Sequence, residues 1–164
     1  MINTRVGIDL AKDLIQVCIF TNNKVLSNTE MTPNEFSLWL INAKPAIVIF
    51  EACGTSNYGK QVAIAVGHDA KIICPKLVSI VRQKQKTDAN DAFAIVQASL
   101  IPRVSFIAGK NREQQQLQSM MRLRELAIKQ KTALSHQLGA LLLELNTRSS
   151  ARNGGLKGAI ESAL

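Results

Sequence analysis

A chain of 164 residues, 46% of them hydrophobic, can bury one core of roughly 100–150 residues and still carry a smaller appendage. No run approaches the roughly 18 consecutive apolar residues of a membrane span, and MINTRVGIDL lacks the layout of a secretory signal, so a soluble, non-exported chain with no membrane partner is expected. The three cysteines, Cys18, Cys53 and Cys74, are widely spaced within apolar runs, which predicts reduced core thiols rather than a disulfide framework or a zinc knuckle.

In chain order, residues 4–10 and 14–20 are rich in Val and Ile and flank Lys12-Asp13, which predicts a hairpin. Asn22-Asn23 supplies the next turn, and KVLSNTEM makes a third, more polar strand at a sheet edge. Thr32-Pro33 opens a helix with a capping hydroxyl and a proline at its first position. AIVIF, residues 46–50, is the uninterrupted apolar run of a central parallel strand, and it ends at Glu51. ACGTSNYG turns into a helix that stops at Gly67, and AKIIC forms a fifth strand that ends before Pro75. Residues 76–86 read as a helix or turn with a basic outer face, and a further helix begins near Asp88. This order suits an α/β layer built on a mixed sheet.

From about Glu113 to Leu145 there is no proline, and Gly139 is the one glycine, so a long helix or a tight helical pair is predicted. Met120, Leu123, Ala127, Leu134, Leu138, Leu141 and Leu145 recur at three-and-four spacing, a seam for a coiled coil or bundle and hence for a homo-oligomer. Three units are therefore expected: 1–108 as the α/β domain, 109–146 as the helical extension, and 147–164 as a glycine- and serine-rich linker towards a further domain.

Residues 1–70 carry five Lys or Arg against six Asp or Glu; residues 71–131 carry twelve against four; residues 132–164 carry three against two. The whole excess of the +8 chain lies in its middle, which suits a polyanion. Lys12, Arg82, Lys84, Lys86, Arg122, Arg124, Lys129 and Lys131 are the candidate phosphate contacts. Tyr58, beside the turn after Glu51, reads as packing against the sheet, with stacking on a base as its alternative, and His68 and His136, without metal-ligand spacing, read as structural.

Asp9 stands in the middle of the first apolar strand, where a lone charge would be costly. If strands one and four are parallel neighbours, Glu51 lies beside it. Asp88 and Asp91, three residues apart, share a face at a helix start. Each has a local alternative: Asp88 as a helix cap, Glu51 bonded to backbone amides, Asp9 paired with Lys12 or Lys60. Four carboxylates converging from three elements would repel one another unless a cation lay between them, and oxygen donors of this kind suit Mg²⁺ or Mn²⁺.

VGIDLAK, IFEACGTSNYG and KTDANDA in that order, followed by the long helix QLQSMMRLRELAIKQKTALSHQLGALLLELN, resemble the DEDD transposases of bacterial insertion sequences, the family that includes the pilin-gene inverting recombinase. The resemblance implies a ribonuclease H-like, RuvC-like fold: a mixed five-stranded sheet with flanking helices, plus the long C-terminal helical extension. It implies that Asp9, Glu51, Asp88 and Asp91 are the catalytic, metal-binding tetrad. It further implies DNA strand cleavage and exchange in a bacterial cytoplasm, together with a structured guide RNA and a C-terminal domain that supplies a serine nucleophile. The rival reading is a catalytically incomplete module that binds nucleic acid and oligomerises. An actin-like nucleotide-binding fold is disfavoured because AKDL, the turn after Asp9, offers no glycine to cradle phosphate.

Overall fold

Alternation along the strands decides which face of the sheet each side chain serves. In the computed structural model, which describes residues 4–82, 87–148 and 155–163, five strands form one sheet: β1 (Arg5–Leu10), β2 (Ile15–Thr21), β3 (Lys24–Met31), β4 (Ile47–Glu51) and β5 (Asp69–Ile73). Their spatial order is β3-β2-β1-β4-β5, with β1, β2 and β3 antiparallel and β1, β4 and β5 parallel. Val6, Ile8, Val17, Val48, Phe50 and Ile72 face one side, where Phe36 and Leu40 of α1 (Pro33–Asn42) and Ala63 of α2 (Ser56–Ala65) close the core. Cys18, Ile49 and Ile73 face the other, against Val78 of α3 (Pro75–Val81) and Ala92, Ala94, Ile95, Val96 and Ala98 of α4 (Asp88–Ser99).

This is a three-layer α/β fold on a mixed five-stranded sheet, and it puts β1 and its parallel neighbour β4 under cover on both faces. The local signals behave as their chemistry requires. Thr32 and Glu35 form a reciprocal capping box at α1. The Asn22-Asn23 turn has positive φ at both residues, 49° and 59°, the conformation of a tight hairpin whose twist matches its strands. His68 is buried and structural, with Nδ1 accepting from the Ala46 amide and Nε2 against the Leu40 carbonyl.

Two compact units are distinguished, Met1–Gly109 and Lys110–Leu164. The first ends by returning to the sheet edge, where the Ile107 amide donates to the Ile72 carbonyl. The second contains α5 (Arg112–Glu144), 33 residues long and capped reciprocally by Asn111 and Gln114, and α6 (Gly155–Ala163), which packs on α5. No helix among the described residues is long and apolar enough to cross a membrane.

Two expectations need correction, on the cysteines and on Tyr58. Within the stretch expected as a linker, Gly155–Ala163 form α6, where Leu156 and Ile160 are four apart and share one helix face. Cys18 alone is buried, and burial pushes its thiol up to about 11; Cys53 and Cys74 are exposed because they lie just past the ends of β4 and β5. Tyr58 stands 67% exposed instead of packing on the sheet, because Gly59 and Ala63 are the α2 residues that face it.

Candidate functional site

The site is built on the face covered by α3 and α4. Within β1, Gly7 and Asp9 point to that face because Val6 and Ile8 point to the other; within β4, Ile49 and Glu51 do the same. The β1–β4 ladder pairs Gly7 with Ile49 and Ile8 with Phe50, so Asp9 and Glu51 leave adjacent parallel strands at the same end and towards the same layer.

Gly7 brings α4 to that face. A Cβ there would lie 2.2 Å from the Ala92 carbonyl oxygen and 2.8 Å from Val96 Cγ2, so the helix backbone rests directly on β1. Thr87 caps α4 by accepting from the Asn90 amide, which leaves Asp88 and Asp91 in the first turn, where the helix dipole favours carboxylates. The capping alternative for Asp88 is thereby removed. A polar relay fixes the same helix end: Gln16 Nε2 donates to Asn28 Oδ1 at 2.8 Å, and Asn28 Nδ2 donates to the Ala89 carbonyl at 2.8 Å.

Asp9, Glu51, Asp88 and Asp91 line one cleft of about 510 Å³, together with Pro75, Lys76, Ser79 and Arg82 of α3 and its cap. Asp91 is buried, Asp9 and Glu51 are half-buried, and Asp88 is exposed. Arg82 Nη1 donates to Asp91 Oδ1 at 2.6 Å. Among the described residues, no three His, Cys, Asp or Glu side chains are gathered tightly enough to hold an ion as they stand. The donor chemistry nevertheless fits one. The four acids are oxygen ligands, and Gln16, the cross-strand neighbour of Asp9, is buried with its Oε1 unpartnered among the described residues.

The model of the DEDD transposases of the IS110 family, described as "Transposase", matches residues 6–147. The chain belongs to this family. It is 32% identical over 139 residues to the transposase for insertion sequence element IS1111A of Coxiella burnetii, covering 84% of this chain and 38% of that protein. It is 31% identical over 150 residues to a probable family 20 transposase of Pseudomonas aeruginosa, covering 91% and 44%. This DEDD transposase chain thus spans about two fifths of the length of the curated relatives it matches. Among solved structures it is similar to T. thermophilus RuvC in complex with Holliday junction substrate, at 12% identity and a TM-score of 0.46, over 64% of this chain and 99% of that one.

Of the candidate phosphate contacts, Lys12, Arg122, Arg124, Lys129 and Lys131 are exposed, and Arg82 is drawn into the cleft. Lys84 and Lys86 lie outside the described residues. Lys60, weighed as a partner of Asp9, donates to the Ala108 carbonyl at 2.6 Å. Sequence reasoning missed Lys76, Ser79 and Gln16. The first two, with Arg82, recur at every third residue, a polar set hidden within a stretch read only as basic. Gln16 interrupts an otherwise apolar strand, directly across from Asp9.

Proposed function

We propose that this chain is the metal-dependent, nucleic-acid-handling part of a DEDD transposase, with Asp9, Glu51, Asp88 and Asp91 holding Mg²⁺ or Mn²⁺ for cleavage and exchange of DNA strands. The observation that carries the reading is one cleft lined by four carboxylates from β1, β4 and the first turn of α4. A bound divalent ion supplies Lewis-acid stabilisation of the charge that develops on phosphodiester oxygens. The chain's own residues do the rest. Asp9 and Glu51 are fixed by the sheet, Asp88 and Asp91 by the capped end of α4, and Lys76 and Ser79 offer a cation and a hydroxyl at the wall a phosphate would approach.

The division of labour follows the units: residues 1–108 carry the metal chemistry, and the extension carries contacts and assembly. At about 100° per residue, Arg124 and Lys131 flank the apolar seam of α5, whereas Arg122 and Lys129 lie on its far side. Met120, Leu123, Leu134 and Leu145 of the seam are all more than 60% exposed, which supports a second copy as their cover. Light scattering tests this: a dimer that Leu134→Glu dissociates is expected, and a monomeric wild type would refute it.

Arg122 and Lys129 remain open to phosphate in such a pair. A structured guide RNA belongs to the same reading through the family resemblance, and the basic excess of residues 71–131 supports a polyanion of either kind. Binding of a short DNA duplex and of an RNA hairpin, followed by fluorescence anisotropy across a salt series, tests the interface. Replacing Arg122 and Lys129 with Gln should reduce the slope of log K against log salt by about 1.8 on duplex DNA, the loss of roughly two phosphate contacts. The corresponding change at Arg124 and Lys131 should reduce it by less. An unchanged slope in the first variant would remove α5 from the interface.

A further inference from the structure

We infer that Arg82 is an exchangeable counter-ion of the carboxylate cleft: it holds Asp91 until a divalent cation enters, then passes to a nucleic-acid phosphate, which couples metal loading to backbone binding. The inference rests on the metal-site reading above and concerns how that site is regulated.

Burial sets this pair apart. The Asp91 side chain is 8% exposed and that of Arg82 23%, whereas the pairs Lys71–Asp69 and Lys157–Glu161 join side chains that are 34% exposed or more. A pair so withdrawn from water is weakly screened, so the guanidinium sets the local field at Asp91. Its partner is one of four acids lining a cleft that, among the described residues, also holds two cations, Lys76 and Arg82. A divalent ion on Asp91 would then lie within a few ångströms of the guanidinium on the same carboxylate, and the two like charges would oppose each other. Metal binding therefore favours departure of Arg82, and the presence of Arg82 weakens metal binding.

The departing group has somewhere to go. A guanidinium fork matches a phosphate as well as it matches a carboxylate, which a lysine ammonium does not. The Arg82 backbone is tied to α3 through its amide, which donates to the Val78 carbonyl, so a swing of the side chain alone can carry the charge along the cleft wall beside Ser79 and Lys76. Substrate backbone and metal ion thus compete with and replace the two halves of one ion pair. A fixed strut between α3 and α4 is the alternative, and it predicts a different result.

Calorimetric titration of the whole chain with Mn²⁺, alone and with a short DNA duplex, distinguishes them. In the wild type, the duplex should tighten Mn²⁺ binding about tenfold, within the usual range of coupling between sites. Arg82→Gln should bind Mn²⁺ alone about tenfold more tightly than the wild type and gain less from the duplex, while Arg82→Lys should stay nearer the wild type. Because Arg82→Gln leaves a buried carboxylate without its cation, a measurement on the unaltered chain stands beside it: the Arg82 Nε–H resonance should shift on saturation with Mg²⁺. Unchanged Mn²⁺ affinity in Arg82→Gln, or an unmoved resonance at saturating Mg²⁺, would overturn the exchange and leave the metal site standing. Failure of every variant to bind Mn²⁺, even with duplex, would overturn the metal-site reading itself and this inference with it.

Discussion

Asp9→Asn should lower the affinity of the chain for Mn²⁺ by a factor of about 100 in calorimetric titration. The substitution keeps size and one oxygen donor but removes the charge. A unit charge centred roughly 3 Å from a divalent ion is worth about 3 kcal/mol even at the dielectric of bulk water, and every 1.4 kcal/mol is tenfold in affinity. Asp9 is half-buried, so its charge is less screened than one in open solvent. The melting temperature should move by only a few degrees, because Asn fits the same strand position and the change relieves repulsion from neighbouring acids. Mn²⁺ affinity equal to that of the wild type would separate Asp9 from any metal site and favour the rival reading, an assembly and binding module.

Gly7→Ala should be the most damaging single methyl group among the described glycines. Its Cβ would lie 2.2 Å from a backbone oxygen of α4 and 3.2 Å from the Val96 amide nitrogen, atoms that cannot move aside without moving the helix. Overpacking of a filled core costs about 3 kcal/mol at the upper end of its usual range. At about 4 °C per kcal/mol for a domain near this size, the melting temperature should fall by roughly 12 °C. The same displacement would lift the first turn of α4 from β1, so Mn²⁺ binding should weaken even at temperatures where the variant is folded. A loss of under about 3 °C would show that α4 does not rest on β1 as described.

The strands were legible because period-two alternation and β-branched content mark them strongly, and KVLSNTEM coincides with β3, Lys24–Met31. The central place of β4 was legible too, because an uninterrupted apolar run demands cover on both faces, whereas its pairing with β1 stood only as a condition until the ladder supplied it. Less visible was what depends on distant partners. Tyr58 was read as packed because tyrosines usually are, but α2 turns Gly59 and Ala63 to the sheet instead. The pairing of Arg82 with Asp91 joins the end of α3 to the first turn of α4 and leaves no periodic trace. Gln16 showed the opposite case: a polar residue in an apolar strand is a visible signal, but its meaning depends on knowing that its cross-strand neighbour is Asp9. The glycines near the C-terminus concealed α6, since composition weighs residues without regard to the face they occupy.

The claim that four carboxylates form a divalent-cation site is tested most directly by anomalous diffraction at the manganese edge, on crystals of the chain grown with Mn²⁺ and a short DNA duplex. A peak is expected in the cleft within about 2.0–2.3 Å of carboxylate oxygens from Asp9 and from at least one of Glu51, Asp88 and Asp91. A map with manganese bound elsewhere and no peak among these four residues, with duplex in place, would contradict it.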